Sequence, residues 1–216
     1  MGQFLVTGAF SGLGLALSRE LHAREFEVIG LGRKIGSREP EILAGFQAVI
    51  ELDLSHPEPE QLDHQIHTLV NDYPGLNLVL NAAQIDPLGP LGILKSSAII
   101  DAVNVNLTSA LLLINSFIRW SPTSSKIFVV GTGAVNTVIE GWDIYSISKL
   151  GLKKACDFVN QQHPGRAIWI DPGVIDTTMQ SQLRESGWAL SNVKLRTPRE
   201  AARVIADQVI GATLRS

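Results

Sequence analysis

The stretch QFLVTGAFSGLGLALSRELHAR, residues 3–24, indicates how this chain folds. A short apolar run comes first, a turn rich in glycine follows, and then Leu13, Leu17 and Leu21 recur at intervals of four. Leucines at this spacing lie on one face of a helix. The stretch therefore predicts a strand, a tight turn and a helix, which together form the opening unit of a parallel α/β sheet.

The same alternation continues along the chain. Further apolar runs predict strands at residues 26–31, 47–52, 76–80, 126–130 and 167–170. Segments between them predict helices at residues 39–44, 57–73, 97–120 and 146–162, and a last helix that Thr197 caps and Pro198 opens. Strands this apolar are covered by helices on both faces. We therefore expect a single α/β domain over residues 1–216, with a doubly wound parallel sheet that lacks a seventh strand.

The turn after the first strand has the glycine spacing G-x-x-x-G-x-G, whereas the commoner dinucleotide pattern is G-x-G-x-x-G. Glycine lets a pyrophosphate approach the backbone, and the helix that follows supplies N–H donors and the positive end of its dipole. An ordinary tight turn is the alternative, but the strand before it and the helix after it favour a nucleotide site. The residues expected to contact the nucleotide are Gly8, Phe10, Ser11, Gly12, Leu13 and Gly14.

The end of the second predicted strand bears on the choice of cofactor. NAD-binding chains usually have an acid here to accept hydrogen bonds from the ribose 2′-hydroxyl, whereas this chain has Gly32 followed by Arg33 and Lys34. These cations would attract a 2′-phosphate, so the sequence favours NADP(H); a solvated basic loop is the alternative. Asp53, followed by Leu54, is placed either to meet the adenine edge or to cap the loop after the third strand.

Tyr145 and Lys149 stand four residues apart at the start of a predicted helix. Residues at this spacing share a helix face, so the ammonium would lie near the phenol. A nearby cation lowers the pKa of a phenol from its ordinary value of about 10. Tyr145 would then act as a general acid toward a carbonyl oxygen, or as a base in alcohol oxidation. The same pair also occurs on plain surface helices, but here it follows a strand in a chain that has the glycine turn.

The overall composition argues against several classes of partner. A net charge of -3 gives no basic surface for nucleic acid. Cys156 is the only cysteine and is expected to be a buried small hydrophobe. The first residues lack a signal-peptide pattern, and the longest apolar stretch, near residues 111–118, is too short to span a bilayer. We therefore expect a cytoplasmic protein with no nucleic-acid, membrane or metal partner.

Taken together, these motifs resemble the short-chain dehydrogenase/reductase family, and the resemblance runs from the first strand to about residue 205. The matching pieces are residues 7–14, Asp53-Leu54, Asn81-Ala82-Ala83, Asn106, Tyr145 with Lys149, and Pro172-Gly173 with Thr177. Residues 131–145 and 172–180 look closest to the sepiapterin reductase and benzil reductase group, which reduces ketones and vicinal dicarbonyls with NADPH.

The resemblance implies roles for individual residues. Tyr145 would donate the proton, and Lys149 would lower the pKa of Tyr145 and hydrogen-bond the nicotinamide ribose. Thr132 stands where the family usually has a serine that holds the substrate oxygen; its extra methyl group restricts rotation. Asn106 would hold a water that supplies protons to Lys149, or would instead bond its own helix backbone. We expect Tyr145, Lys149, Thr132 and Asn106 to be the catalytic set.

The resemblance also implies a sheet order of 3-2-1-4-5-6, with the cofactor across the carboxyl ends of the strands. Ala83 replaces the usual glycine and could crowd the cofactor slightly. The further residues implied to contact the cofactor are Asn81, Ala82, Ala83, Tyr145, Lys149, Pro172, Gly173, Val174 and Thr177.

The predicted function is hydride transfer between NADP(H) and the carbonyl or alcohol carbon of a small, apolar ketone, aldehyde or dicarbonyl. A non-catalytic NADP(H)-binding regulatory protein on the same fold is the alternative. Trp142 would form an aromatic wall, and a substrate lid would cover residues 176–195, in which Leu183 is expected to be plain core. Family members commonly pair through the fourth and fifth helices, so we expect a homodimer or homotetramer.

Overall fold

Six parallel strands form one sheet in the computed structural model, which describes residues 2–190 and 193–215. The order across the sheet is β3-β2-β1-β4-β5-β6, which confirms the predicted topology; no further strand lies within the described ranges. The strands are β1 Gln3–Thr7, β2 Glu27–Gly32, β3 Ala48–Glu51, β4 Leu76–Leu80, β5 Ile127–Val130 and β6 Ala167–Ile170.

Eight α-helices connect and follow these strands in the described part of the chain. They are α1 Gly12–Ala23, α2 Pro40–Leu43, α3 Pro59–Asp72, α4 Ser96–Val103, α5 Ser109–Trp120, α6 Asp143–Gln162, α7 Thr178–Ser186 and α8 Pro198–Thr213. A π-helical turn, Asn104–Thr108, joins α4 to α5 without a break, so the predicted single helix is continuous but locally widened. Helix α6 begins three residues before its predicted start at residue 146.

The two faces of the sheet carry separate hydrophobic layers because successive strand residues point to opposite sides. In β1, Phe4 and Val6 pack against α1 and α8, whereas Leu5 packs against α3, α5 and α6. All three side chains are fully buried. Cys156 is buried in the same layer as Leu5, which confirms the prediction that it is a buried small hydrophobe.

Helix α8 begins with the predicted cap. The Thr197 hydroxyl accepts a hydrogen bond from the Glu200 backbone N–H, and the Glu200 carboxylate accepts one from the Thr197 N–H at 2.8 Å. This reciprocal pair satisfies two backbone donors that the first turn would otherwise leave free. It fixes where the last helix enters the layer formed with α1.

The continuous helical segment Ser96–Trp120 is long and apolar enough to cross a membrane by length and composition alone, which the sequence analysis had not anticipated. A helix buried in the core of a soluble protein meets the same criteria of length and composition. Here Leu113 and Phe117 are fully buried against the sheet layer. The Ser109 hydroxyl donates to the Leu54 carbonyl at 2.7 Å, so the helix is tied to the loop after β3. The cytoplasmic location stays a prediction.

The sheet topology decides where a ligand can bind. The chain leaves β1 toward α1 on one face and leaves β4 toward α4 on the other, and β1 and β4 are neighbours. The two connections separate at the carboxyl ends of these strands and leave a crevice between them.

Candidate active site

A cavity of about 790 Å³ occupies this crevice. Its walls come from the carboxyl ends of β1, β2, β4, β5 and β6, from the start of α1 and from the first turns of α6 and α7. The predicted site residues that line it are Gly8, Phe10, Ser11, Gly12, Leu13, Gly14, Arg33, Asp53, Leu54, Asn81, Ala82, Ala83, Thr132, Tyr145, Lys149, Pro172, Gly173, Val174 and Thr177. Lys34 and Asn106 are the two predicted site residues that do not.

The glycine turn has the backbone shape that only glycine adopts easily. Gly8 has φ +64° and Gly12 has φ +50°, both in the left-handed region. At Gly14 a Cβ atom would lie 2.1 Å from the Gly8 carbonyl oxygen. The three glycines therefore allow α1 to fold back onto the end of β1, and any side chain at position 14 would push the two apart.

The start of α1 fits a pyrophosphate. Ser11 is the N-cap residue, but its side chain makes no capping hydrogen bond. The N–H groups of the first turn, at Gly12, Leu13 and Gly14, therefore have no side-chain cap, and all three residues line the cavity. Uncapped N–H groups at the positive end of a helix dipole form a binding site for phosphate oxygens.

Phe10 reaches the cavity mainly through its backbone, since its side chain is buried and stacks edge-on against Phe46 with ring centroids 5.1 Å apart. Its ring also occupies the space where Cβ atoms at Gly30 and Gly32 would lie, within 2.8 Å of it. The glycines of β2 thus accommodate this ring, which sequence reasoning did not foresee.

Asn81 stabilises the turn from the end of β4. Its side-chain amide donates to the carbonyls of Thr7 and Gly8, at 3.0 and 3.3 Å. The Thr7 hydroxyl in turn accepts hydrogen bonds from the backbone N–H groups of Asn81 and Ala82, both at 3.0 Å. Asn81 therefore holds the glycine turn in shape from the cavity wall.

Asp53 caps the loop after the third strand, which is one of the two roles that the sequence left open; the contact with adenine stays a prediction. Its carboxylate accepts hydrogen bonds from the Ser55 backbone N–H and hydroxyl, at 3.0 and 2.7 Å. These bonds, with a smaller contribution from the positive charge of Arg33, hold the pKa of Asp53 below its ordinary value. Asp53 thus caps the loop and lines the cavity as an anion.

The basic residues after β2 are arranged differently from the sequence prediction. Lys34 adopts a left-handed conformation, φ +56°, and leads into the 3-10 turn Ile35–Ser37, so it lies outside the cavity lining. That turn brings Arg38 to the cavity instead. The Arg38 Nε is buried and has no hydrogen-bond partner within the described ranges. Sequence reasoning missed Arg38 because its placement depends on the path of this turn.

Tyr145, Thr132 and Lys149 all line the cavity. Burial raises the pKa of Tyr145 to about 12, a hydrogen bond with the Thr132 hydroxyl opposes this rise, and the negative charge of Asp171 adds to it. The Thr132 oxygen also accepts a hydrogen bond from the Ala134 N–H at 3.2 Å. Thr132 thus stands within hydrogen-bonding reach of the phenol, where the family resemblance placed its serine.

Lys149 lies against Tyr145 but does not act on its pKa as the sequence analysis predicted. Its ammonium donates to the Val130 carbonyl at 3.1 Å and lies 5.9 Å from the centre of the Tyr145 ring. Burial lowers the pKa of Lys149 to about 8. The pKa of Tyr145 is raised and not lowered in this structure, because desolvation of the phenol is the largest effect and Lys149 is not among the groups that shift it.

Asn106 lies in the π-helical turn and is fully buried outside the cavity lining. Its side chain accepts a hydrogen bond from the Gln84 N–H and donates one to the Gln84 carbonyl, both at 2.8 Å. It therefore joins the helical layer to the loop after β4, and the alternative that it bonds its own helix backbone was wrong. The water-holding role stays a prediction.

Gly131, directly before Thr132, packs against the ring of Trp169 on the neighbouring strand. A Cβ atom at position 131 would lie 2.1 Å from that ring. The Gly131 N–H donates to the Ile170 carbonyl at 2.7 Å, which extends the β5–β6 pairing to the edge of the site. This contact fixes the backbone that carries the Thr132 hydroxyl.

Four large apolar side chains form part of the cavity wall. Ile139, Trp142, Met179 and Leu190 line it, and the Trp142 ring packs edge-on against Tyr145 at 5.9 Å between centroids. Leu183 is fully buried behind this wall, as predicted. Within the predicted lid, Ser191 and Asn192 lie outside the described residues.

Asp171 and Gln182 also line the cavity, and the sequence analysis did not single them out. Asp171 stands immediately before the Pro172-Gly173 pair that was singled out, and its carboxylate accepts a hydrogen bond from the Gly173 N–H at 2.9 Å. An acid next to that turn was therefore the available signal. Gln182 follows only from the placement of α7.

Comparisons with known proteins agree with this geometry. A family model described as short chain dehydrogenase matches residues 3–188. The benzil reductase ((S)-benzoin forming) of Bacillus subtilis (strain 168) is 29% identical over 199 residues, which cover 86% of this chain and 79% of that protein. The enzyme of the same name from Bacillus cereus is 24% identical over 201 residues, with 86% and 80% covered.

Among solved structures, a short-chain dehydrogenase from Burkholderia cenocepacia J2315 in complex with NADP has a TM-score of 0.80 at 23% identity, covering 96% of this chain and 90% of that chain. At this identity the likeness shows the fold. The benzil reductases agree with the group that residues 131–145 and 172–180 indicated. Because the family model matches most of the chain, this protein is an oxidoreductase of the short-chain dehydrogenase family.

Proposed function

We propose that this protein transfers hydride between NADP(H) and the carbonyl or alcohol carbon of a small, apolar ketone, aldehyde or dicarbonyl. The observation that carries the proposal is the meeting of Tyr145, Thr132 and Lys149 in the same cavity as the uncapped start of α1. The start of α1 suits a phosphate, Tyr145 is a proton donor, and four large apolar side chains form part of the wall. A phosphate-binding end, a proton donor and an apolar wall in one cavity suit a nicotinamide cofactor bound next to an apolar carbonyl compound.

The side chains divide the chemistry among them. The bound cofactor supplies the hydride in reduction and accepts it in oxidation. Tyr145 carries its proton at neutral pH, as any phenol with a pKa of about 10 or above does, so it can donate that proton to a carbonyl oxygen. Thr132 would donate a hydrogen bond to the same oxygen, and Lys149 would hold the cofactor's ribose near Tyr145.

The preference for NADP(H) is supported by the charges around the end of β2. Arg33 and Arg38 both line the cavity there. The nearby acid Glu51 accepts a hydrogen bond from the Ile35 N–H at 3.2 Å, so one of its oxygens is already engaged. Guanidinium groups bind a phosphate dianion by charge-assisted hydrogen bonds, which a ribose hydroxyl cannot match.

Replacing Arg33 with alanine is expected to weaken NADPH binding by about tenfold or more, since a charge-assisted hydrogen bond contributes about 1.5–3 kcal/mol. NADH binding should change by less than about twofold, because NADH lacks the phosphate that the guanidinium would contact. Fluorescence titration of both cofactors measures the two dissociation constants. Arg19→Ala, outside the cavity lining, is the control; an unchanged NADPH/NADH ratio in Arg33→Ala would remove the basis for the NADP assignment.

The function is tested by following NADPH oxidation at 340 nm with a panel of aldehydes, ketones, quinones and vicinal dicarbonyls. We expect turnover with apolar ketones or dicarbonyls in particular, since Ile139, Trp142, Met179 and Leu190 form part of the cavity wall. A protein that binds NADPH but oxidises none across the panel would instead favour the regulatory alternative.

We also propose that residues 1–216 act as one NADP(H)-binding domain with a substrate lid at about residues 176–195, and that the protein works as a homodimer or homotetramer. Large apolar side chains exposed on α4 and α6 support such pairing, since exposed apolar side chains can be buried at an interface between subunits. They are Ile100, Ile147, Leu150 and Phe158, each more than half exposed.

A further inference from the structure

Trp188 lies just after α7, and its ring fills space that is free only because residue 141 is a glycine. Its ring occupies the space beside Gly141, where a Cβ atom would lie 2.4 Å from the ring. Gly141 also has φ +77°, which L side chains rarely adopt. The Gly141 carbonyl accepts a hydrogen bond from the Gly89 N–H at 2.8 Å, so its own position is fixed from a second loop.

A hydrogen bond from the neighbouring residue completes this contact. The Trp142 indole N–H donates to the Trp188 carbonyl at 3.0 Å. On the other side, the Trp188 N–H donates to the carbonyl of Leu183, which is fully buried. The backbone of Trp188 is thus bonded at both ends, once to α7 and once to the residue that precedes α6. We call this arrangement of Gly141, Trp142 and Trp188 the indole latch.

The indole latch joins the lid to the proton donor. Trp142 is almost fully buried and packs edge-on against Tyr145, with ring centroids 5.9 Å apart. Two residues beyond Trp188, Leu190 lines the cavity, whereas Trp188 itself does not. Because Trp188 is not part of the cavity lining, we infer that its influence on the cavity runs through the position of Leu190.

We propose that Trp142 is a positioning residue for substrate: its indole N–H holds Trp188 on Gly141 and so seats Leu190 in the wall of the cavity that Tyr145 also lines. The inference rests on the proposed function only for its kinetic consequence. Without the latch, Leu190 would no longer be held over the substrate side, while the nucleotide turn at the other end of the cavity would be untouched.

The test compares Trp142→Phe, Trp188→Leu and the double variant with the wild type. Trp142→Phe keeps a buried ring but removes the N–H donor, and Trp188→Leu removes the ring from Gly141 without placing a side chain there. Trp120→Phe is the matched control, because it also loses one indole hydrogen bond, to Asp63 at 3.2 Å, but at the far end of α5.

Each single variant should raise the KM for the best carbonyl substrate about tenfold and change kcat less than about threefold, as expected for loss of one positioning hydrogen bond or packing contact. The NADPH dissociation constant should not change. Both variants open the same latch, so the KM of the double variant should also be raised only about tenfold. If the two effects were independent, they would multiply, and the KM would rise about a hundredfold. A multiplied effect, or an unchanged KM with reduced kcat, would overturn the proposal.

A second readout does not depend on catalysis. Lys194 and Arg196 are exposed trypsin sites in the segment after the latch. Trypsin should cut there several times faster in Trp142→Phe and Trp188→Leu than in the wild type or Trp120→Phe. Equal cutting rates in all four proteins would contradict the proposed latch. If no carbonyl compound is reduced at all, the proposed function fails, and the cutting rates still decide whether the latch exists.

Discussion

Tyr145→Phe is expected to lower kcat for carbonyl reduction by about a hundredfold to ten-thousandfold, the usual contribution of a positioned proton donor. The phenol lines the cavity with Thr132, whose hydroxyl forms a hydrogen bond with it, and like any phenol it is protonated at neutral pH. Phenylalanine preserves the ring that packs against Trp142. NADPH binding should therefore stay within about twofold of wild type, because the ring contacts are kept and only one hydroxyl is lost. Steady-state kinetics and fluorescence titration measure the two quantities.

The chain offers a matched control for this variant. Tyr73 is its only other tyrosine and lies at the end of α3, away from the cavity. Tyr73→Phe should keep wild-type kcat. A Tyr145→Phe enzyme that retains full kcat would refute the assignment of Tyr145 as the acid.

Lys149→Met is expected to abolish turnover and at the same time make the folded protein more stable at pH 7. Burial lowers the pKa of Lys149 from 10.5 to about 8, so below pH 8 the folded state carries a charge that burial disfavours. This difference corresponds to a cost on the order of 3 kcal/mol. Losing the hydrogen bond to the Val130 carbonyl offsets about 1 kcal/mol of the gain. The net gain of about 2 kcal/mol should raise the Tm by roughly 4–8 °C for a chain of this size.

The stability gained in Lys149→Met is expected to depend on pH. The cost of the buried ammonium is fully present below pH 8, declines as pH rises, and is gone above pH 10.5, where the unfolded chain is also neutral at this position. The stability difference between Lys149→Met and wild type should therefore shrink between pH 7 and pH 10.5 in thermal unfolding. Lys154→Met, an exposed lysine on the same helix, should show no such difference. A gain that persists undiminished at high pH, or a loss of stability at pH 7, would contradict the argument.

The parallel α/β class and the glycine turn after β1 could be predicted because they follow from local patterns of apolar residues and glycines. The sheet order and much of the cavity wall were implied by the family resemblance, and the strand order is confirmed. Residues next to strand ends, such as Asp53, Asn81 and Thr132, therefore had to lie near the crevice. No side-chain geometry was needed for that part of the prediction.

Other features depended on distances that spacing does not contain. Lys149 is four residues from Tyr145, yet its ammonium bonds to the Val130 carbonyl and burial dominates the pKa of both groups. Arg38 replaces Lys34 in the cavity because a single 3-10 turn redirects the loop. Asn106 finds its partner in Gln84, more than twenty positions away. Solvation and long-range hydrogen bonds decided each of these outcomes.

The close contact between Gly131 and Trp169 has a consequence for how this pocket could be altered, by evolution or in the laboratory. A methyl group at position 131 and an indole at position 169 cannot share the same space, so neither residue is free to vary alone. Enlarging residue 131 would displace the backbone of Thr132, and shrinking residue 169 would open a void under it. Libraries aimed at new substrates should therefore vary residues 131 and 169 together, so that a larger side chain at one position is matched by a smaller one at the other.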